Sequence, residues 1–241
     1  EISACLVGSE MCIRDSTFSF CRKPSADLLY APEQIDPGWF SQAFALHFCS
    51  VSLVDSPMRY AHLAAITAAR EAGAILSFDL NLRFPLWPNR EQLRQTVWQF
   101  LPLTHILKLS DEELPFLTGT EDIEAALPAL FTGDVQLVLY TCGSKGARAY
   151  TRTASARARS PKVTAVDTTG AGDGFIGSFL WQLQRDGVIT AELPKLSRKR
   201  LTEYLAFSNR FCAISVQHHG ALDSYPTLAQ MEQPETDFPL P

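Results

Sequence analysis

No apolar run in the 241 residues approaches the roughly 18–20 that a membrane-spanning helix needs. A basic excess is missing as well: 21 lysines and arginines stand against 26 acidic residues, a net charge of -5, which speaks against a partner bound through nucleic-acid phosphates. The six cysteines (Cys5, Cys12, Cys21, Cys49, Cys142 and Cys212) include no C-x-x-C pair and no neighbouring histidine at zinc-ligand spacing. They read as buried free thiols of a reducing, cytoplasmic compartment. His47, His62, His105, His218 and His219 are scattered without metal-ligand spacing, so none reads as catalytic. There is no internal repeat, no dividing linker, and no low-complexity stretch beyond the proline-containing tail 226–241, which reads as a surface terminus. What is present is an ordinary globular composition, 46% hydrophobic and 20% charged, suited to one domain.

Residues 1–16, EISACLVGSEMCIRDS, show neither helical nor strand periodicity and lack the basic start, apolar block and cleavage site of a signal peptide. They resemble the translated frame of a sequencing adapter, which encodes Leu6 through Asp15 and forces Ser or Arg at position 16, where Ser16 stands. The expectation is that 1–16 are adapter-derived and that 17–241 form a single domain whose own N-terminal portion is missing.

From Ala45 onward, apolar strands alternate with helical stretches: ALHFCSVSLV, then PMRYAHLAAITAAREAG, then AILSFDL. Leu93, Val97, Phe100 and Leu101 recur at helical spacing, as do Ile123, Leu127 and Leu130, with THILKLS as a strand between them. This rhythm predicts a parallel sheet covered by helices. QLVLYT and GARAYTR read as two strands around a turn, and 152–160 as a further antiparallel strand or loop. A strand at Lys162–Val166, a helix after Gly170 ending near Gly187, and a last helix from about Arg198 to Gln217 complete the reading. Arg198-Lys199-Arg200 reads as a solvated helix start.

The segment Asp167-Thr-Thr-Gly-Ala-Gly-Asp173 lies between an expected strand and an expected helix. Successive backbone N–H groups and the positive helix end converge there on a place suited to phosphate. Glycines allow close approach, whereas a carboxylate in the first turn opposes an anion unless it has work to do. Asp173 is then a candidate base that takes a proton from an attacking hydroxyl while the turn holds charge on a transferred phosphoryl group. The same residues also fit a plain helix start with an acidic first turn.

D-T-T-G-A-G-D-G-F resembles the C-terminal signature of the ribokinase-like, or PfkB, sugar kinases. Four further segments agree in order: SFDLNLRFPLW with that family's D-x-N-x-R-x-x-L-W stretch, KLSDEEL with its N-x-x-E region, TCGSKGA with its T-x-G-x-x-G, and SNRFCAISVQHHGA with its adenine-side helix and following Gly-Ala. TFSFCRKPSADLLY, with Arg22, Pro24, Ala26 and Asp27, is most similar to bacterial fructokinases. The resemblance implies a three-layer α/β/α, Rossmann-like fold with a mostly parallel sheet, lacking here the N-terminal strands and most of the lid. It implies transfer of the γ-phosphoryl group of ATP to a sugar hydroxyl, of fructose or alternatively 2-keto-3-deoxygluconate, with magnesium as cofactor and a homodimer in the intact protein. Asp173 would be the base and Gly170, Ala171 and Gly172 the anion hole. Ser110, Thr141, Gly143, Gly146 and Asn209 would meet the nucleotide, with Ser110 replacing the usual Asn, and Glu113 would act on magnesium through water. Arg83 would contact substrate or phosphate, or else form an ion pair with Asp79 or another neighbour. Asp167, Thr169, Ser215, Gly220 and Ser224 would form a potassium-type monovalent-cation site. Two further readings remain: a non-catalytic nucleotide-binding relative, against which an intact Asp173 speaks, and an inactive fragment with exposed sheet edges.

Overall fold

Alternation of apolar side chains along buried strands sorts this molecule into two cores, one on each face of a single sheet. The structure is a computed structural model that describes residues 8–12, 15–19 and 25–233. Strands β1 (Gly8–Cys12) and β2 (Asp15–Ser19) pair antiparallel, Gly8 opposite Ser19. This hairpin occupies a segment without strand periodicity, because backbone N–H and C=O groups close a two-stranded ladder whatever the side-chain pattern. Arg22, Pro24, Cys5, Cys21 and the end of the tail, 234–241, lie outside the described residues.

The main sheet places β3 (Ala45–Cys49), β4 (Ile75–Asp79), β5 (Ile106–Ser110) and β6 (Leu137–Thr141) side by side and parallel, then β7 (Ala147–Tyr150) and β8 (Ser155–Ala158) antiparallel. Leu76, Phe78, Leu107, Leu109, Val138 and Tyr140 point to one face, where they pack with α1 (Pro57–Glu71), α2 (Arg90–Phe100), α3 (Glu113–Thr118) and α4 (Ile123–Leu130). Ile75, Ile106, Leu137 and Leu139 point to the other, against α5 (Ala171–Arg185) and α6 (Arg198–Ser215). The result is three layers, helices on both sides of a mostly parallel sheet. A short α7 (Leu228–Glu232) follows.

Local chemistry sets the helix ends. Pro57 opens α1 at a position where its missing N–H costs nothing, and left-handed Gly73 follows its end. Asn89 caps α2 and Ser197 caps α6 by accepting the N–H groups of Gln92 and Arg200.

Two expectations need correction. Lys162–Val166 is not a strand: the N–H groups of Val166 and Asp167 both go to the carbonyl of Val216, at the end of α6, so the segment is tied to a helix terminus and not to a ladder. ALHFCSVSLV is strand only over its first half; Ser50–Ser52 is a 3-10 turn. The start of α6 is solvated, as expected: Arg198, Lys199 and Arg200 are all exposed, and Arg200 pairs at the surface with Asp186 at 2.9 Å. Cys49, Cys142 and Cys212 are free, as expected, but half-buried.

Candidate active site

Pleating decides which side chains can meet α5. Strand residues alternate faces, so with Phe78, Leu107 and Leu109 in one core, Ser77, Asp79, Lys108 and Ser110 turn towards α5 and α6. Asp79 and Lys108 are directly opposite in the β4–β5 register, and the Lys108 ammonium touches both Asp79 carboxylate oxygens, at 3.0 and 2.8 Å. On β3, His47 Nδ1 sits 3.0 Å from Ser77 Oγ.

Above this polar strip lies the turn into α5. Gly170 is its N-cap, left-handed with φ 77°, and carries the glycine requirement here: a Cβ would come within 2.9 Å of the Tyr225 hydroxyl. That hydroxyl donates to the Gly170 carbonyl at 2.7 Å, and burial, followed by the charge of Asp173, pushes the Tyr225 phenol up to about 12. The Ala171 N–H is spent on the Thr168 carbonyl and that of Gly174 on Gly170. Among the described residues, the N–H groups of Gly170, Gly172 and Asp173 have no backbone acceptor, so the open donors are these three and Ala171 is not one of them. Gly172 and Asp173 are exposed. A helix start with unspent N–H groups and an exposed carboxylate can hold an anion and accept a proton in the same place.

Glu113 is held by two backbone groups. Its Oε2 accepts the Ser110 N–H at 2.8 Å and its Oε1 the Leu82 N–H at 3.0 Å, while the Ser110 hydroxyl accepts the Glu113 N–H at 3.2 Å. This clamp ties the end of β5 to the Asp79–Arg83 loop, in which Asn81 is left-handed at φ 38°. Asp79 is committed to Lys108 and to the Asn81 N–H, and Arg83 donates to the Leu82 carbonyl at 3.0 Å.

Thr141 ends β6 with its hydroxyl on the Leu109 carbonyl. Gly143 and Gly146 flank the turn after it, both with positive φ, but their surroundings differ: a Cβ on Gly143 meets nothing within 4 Å, whereas one on Gly146 runs into the Ala158 carbonyl. Asn209 is buried, with its amide donating to the Ala158 carbonyl at 3.0 Å. Asp167 accepts the N–H groups of Thr169 and Gly220, at 2.9 and 3.0 Å, and these bonds together with the Thr169 hydroxyl hold its carboxyl below the usual range. Ser215 and Ser224 share a 2.7 Å hydrogen bond beside them. The residues singled out for a cation site thus come together in one corner, although no group of three or more His, Cys, Asp or Glu placed to hold a metal occurs among the described residues.

Sequence reasoning missed Lys108 and Tyr225. For Lys108 the signal was a charge inside ILKLS, a run otherwise suited to a strand buried on both faces. Beside Asp173, α5, α6 and α7 form an apolar groove of about 370 Å³ that includes Trp181, Phe207 and Leu228. A larger cavity of about 410 Å³ lies by β7, β8 and the start of α6 and includes none of the site residues.

A family model described as pfkB family carbohydrate kinase matches residues 3–228. The chain belongs to this family. The three layers and mixed six-stranded sheet are those of ribokinase-fold kinases. Probable fructokinase-4 of Arabidopsis thaliana is 39% identical over 217 residues, covering 89% of this chain and 65% of that protein. The structure of a fructokinase with bound ATP from Xylella fastidiosa superposes with a TM-score of 0.84 at 34% identity, covering 90% of this chain and 69% of the other. A Vibrio cholerae fructokinase in a fructose, ADP and calcium ion bound form gives 0.77 at 33%, covering 92% and 69%. The chain therefore spans just under two thirds of the length of the Arabidopsis relative it matches. Among the described residues no helix is long and apolar enough to cross a membrane.

Proposed function

We propose that this pfkB-family chain carries the nucleotide-binding and proton-accepting part of an ATP-dependent sugar kinase whose acceptor is fructose. The observation that carries the reading is the turn into α5, where the N–H groups of Gly170, Gly172 and Asp173 are unspent and the Asp173 carboxylate is exposed beside them. Fructokinase relatives, one with bound ATP and one with fructose and ADP, support the choice of substrates.

In the proposed reaction Asp173 accepts the proton of a sugar hydroxyl as its oxygen bonds to the γ-phosphorus. The bond from that phosphorus to the bridging oxygen of the β-phosphate breaks, and ADP leaves. The open N–H groups hold the charge of the transferred group. Magnesium, which when bound would supply positive charge against that of the phosphates, normally takes only one or two protein carboxylates and keeps several waters. Glu113 fits such a role: each oxygen accepts one backbone N–H and retains a lone pair for water. Thr141 and the open face at Gly143 would meet the nucleoside, and Gly146 and Asn209 shape that end by packing against β8. Arg83 is assigned to phosphate or substrate, and the Asp167, Thr169, Ser215, Gly220 and Ser224 corner to a monovalent cation. The unpaired Cys49, Cys142 and Cys212 suit a cytoplasmic setting.

Fructose-dependent release of ADP from ATP tests the reading, with 2-keto-3-deoxygluconate as the competing acceptor. Asp173→Asn is expected to lower turnover by about 10²–10⁴-fold while ATP affinity holds. Turnover that survives the change would remove the base, and preference for the keto acid would move the substrate.

A further inference from the structure

Lys108 is buried on β5 with 7% of its side chain exposed, and an ammonium in that position is costly unless paired and hydrogen-bonded. Its contacts with the two oxygens of Asp79 account for the pairing. They do not account for the placement. A Cβ on Gly172 would stand 3.1 Å from the Lys108 ammonium and, outside its own turn of helix, meet nothing else within 4 Å, so the cation lies directly under the turn whose N–H groups are unspent. An ammonium has three donors, and among the described residues this one donates to the two oxygens of Asp79. Burial alone would lower the lysine pKa, but the pull of Asp79, then of Glu113, with a further contribution from Asp173, carries it above the ordinary value, so the charge is retained. The Asp79 carboxylate also accepts the Asn81 N–H at 3.2 Å, which fixes it against the D-x-N-x-R loop and fixes Lys108 in turn.

We propose that Lys108 is a phosphate-binding residue: an ammonium held from behind by Asp79, a positioning residue, and directed with Gly172 and Asp173 at the terminal phosphates of the nucleotide. A pair kept for stability alone needs no such address, since buried ion pairs exchange for apolar residues at little or no cost. A small residue at 172 also gains a reason: any side chain there would stand between the ammonium and the phosphate.

This inference rests on the kinase reading, and calorimetric titration of the 241-residue chain with ATP and with AMP separates the two. The variants are Lys108→Met and the double change Lys108→Met/Asp79→Asn, which leaves no unpaired charge buried; thermal melting verifies that the double variant folds. A charged hydrogen bond to phosphate implies that ATP affinity falls about 10–100-fold in the double variant while AMP affinity changes less than about twofold. An unchanged ratio of ATP to AMP affinity, or an equal fall in both, would overturn the role of Lys108 and leave the kinase reading standing. An unaltered chain that binds neither nucleotide would overturn both.

Discussion

Two glycines in one turn show why a motif and a role are different things. Gly143 and Gly146 belong to the same T-x-G-x-x-G match, yet Gly143 faces open space at φ 52° while a Cβ on Gly146, at φ 97° and ψ -147°, would run into the backbone of Ala158, Arg159 and Ser160. Gly146 is in a region of backbone space that other residues hardly enter, and its neighbours are main chain that cannot swing away. Gly146→Ala is therefore expected to cost about 2–4 kcal/mol of stability, combining backbone strain with overpacking. Gly143→Ala should cost only about 1–2 kcal/mol, the price of a left-handed alanine. Urea unfolding of the two variants without nucleotide checks the contrast, and equal losses would return Gly146 to a purely ligand-facing role.

Pairs of elements explain what periodicity conveyed and what it left out. Alternating and helical patterns locate β3 to β7 and most of α1, α2, α4, α5 and α6, because these are the parts that bury a face. KVTAV alternates as well but pairs with no strand among the described residues, and α3 is too short to show a period. In the site, the glycine turn and Asp173 are legible since their chemistry is local, whereas Lys108 acquires meaning only through the β4–β5 register and the packing of α5 over it. The join between α5 and α6 makes the same point. Asp186, at the end of α5, binds Arg185 at 2.8 Å, Arg200 at 2.9 Å and the Tyr204 hydroxyl at 2.7 Å, and Tyr204 packs edge-on against Phe179 in the core. Those three bonds, with that of Arg185 the largest influence, hold the Asp186 carboxyl well below the usual carboxylate range. A carboxyl whose folded pKa is depressed contributes fully above its unfolded value and loses that contribution as the pH falls through the carboxylate range towards the folded value. Asp186→Asn should thus cost about 1–2 kcal/mol at pH 7, and the gap to the unaltered chain should narrow below about pH 4. Thermal melts across that range measure it; a gap that stays constant down to pH 2.5 would mean that the charge of Asp186 contributes nothing.

For the whole molecule, the candidate site is a seam across the fold. Its residues come from the loop after β4, the ends of β5 and β6, the turn into α5 and the far end of α6, so a nucleotide seated there would grip both layers of helices and the sheet between them. The outer side of β3 has no partner strand among the described residues, which leaves one flank of that sheet held only by β4 and by packing. A ligand that binds the folded chain alone stabilises it by mass action, about 2.7 kcal/mol at a hundred times the dissociation constant. At about 2–4 °C per kcal/mol for a domain of this size, magnesium-ATP at that concentration should raise the melting temperature by about 5–11 °C. Because the gripped segments span the order of the sheet, the shift should appear in one cooperative transition whether it is followed by far-UV circular dichroism or by tryptophan fluorescence, in which Trp87, Trp98 and Trp181, in or beside the two helical layers, emit together with the exposed Trp39. A shift seen by fluorescence alone would confine the ligand's effect to a local loop. No shift by either probe, in a chain shown to be folded, would mean that the seam does not hold ATP.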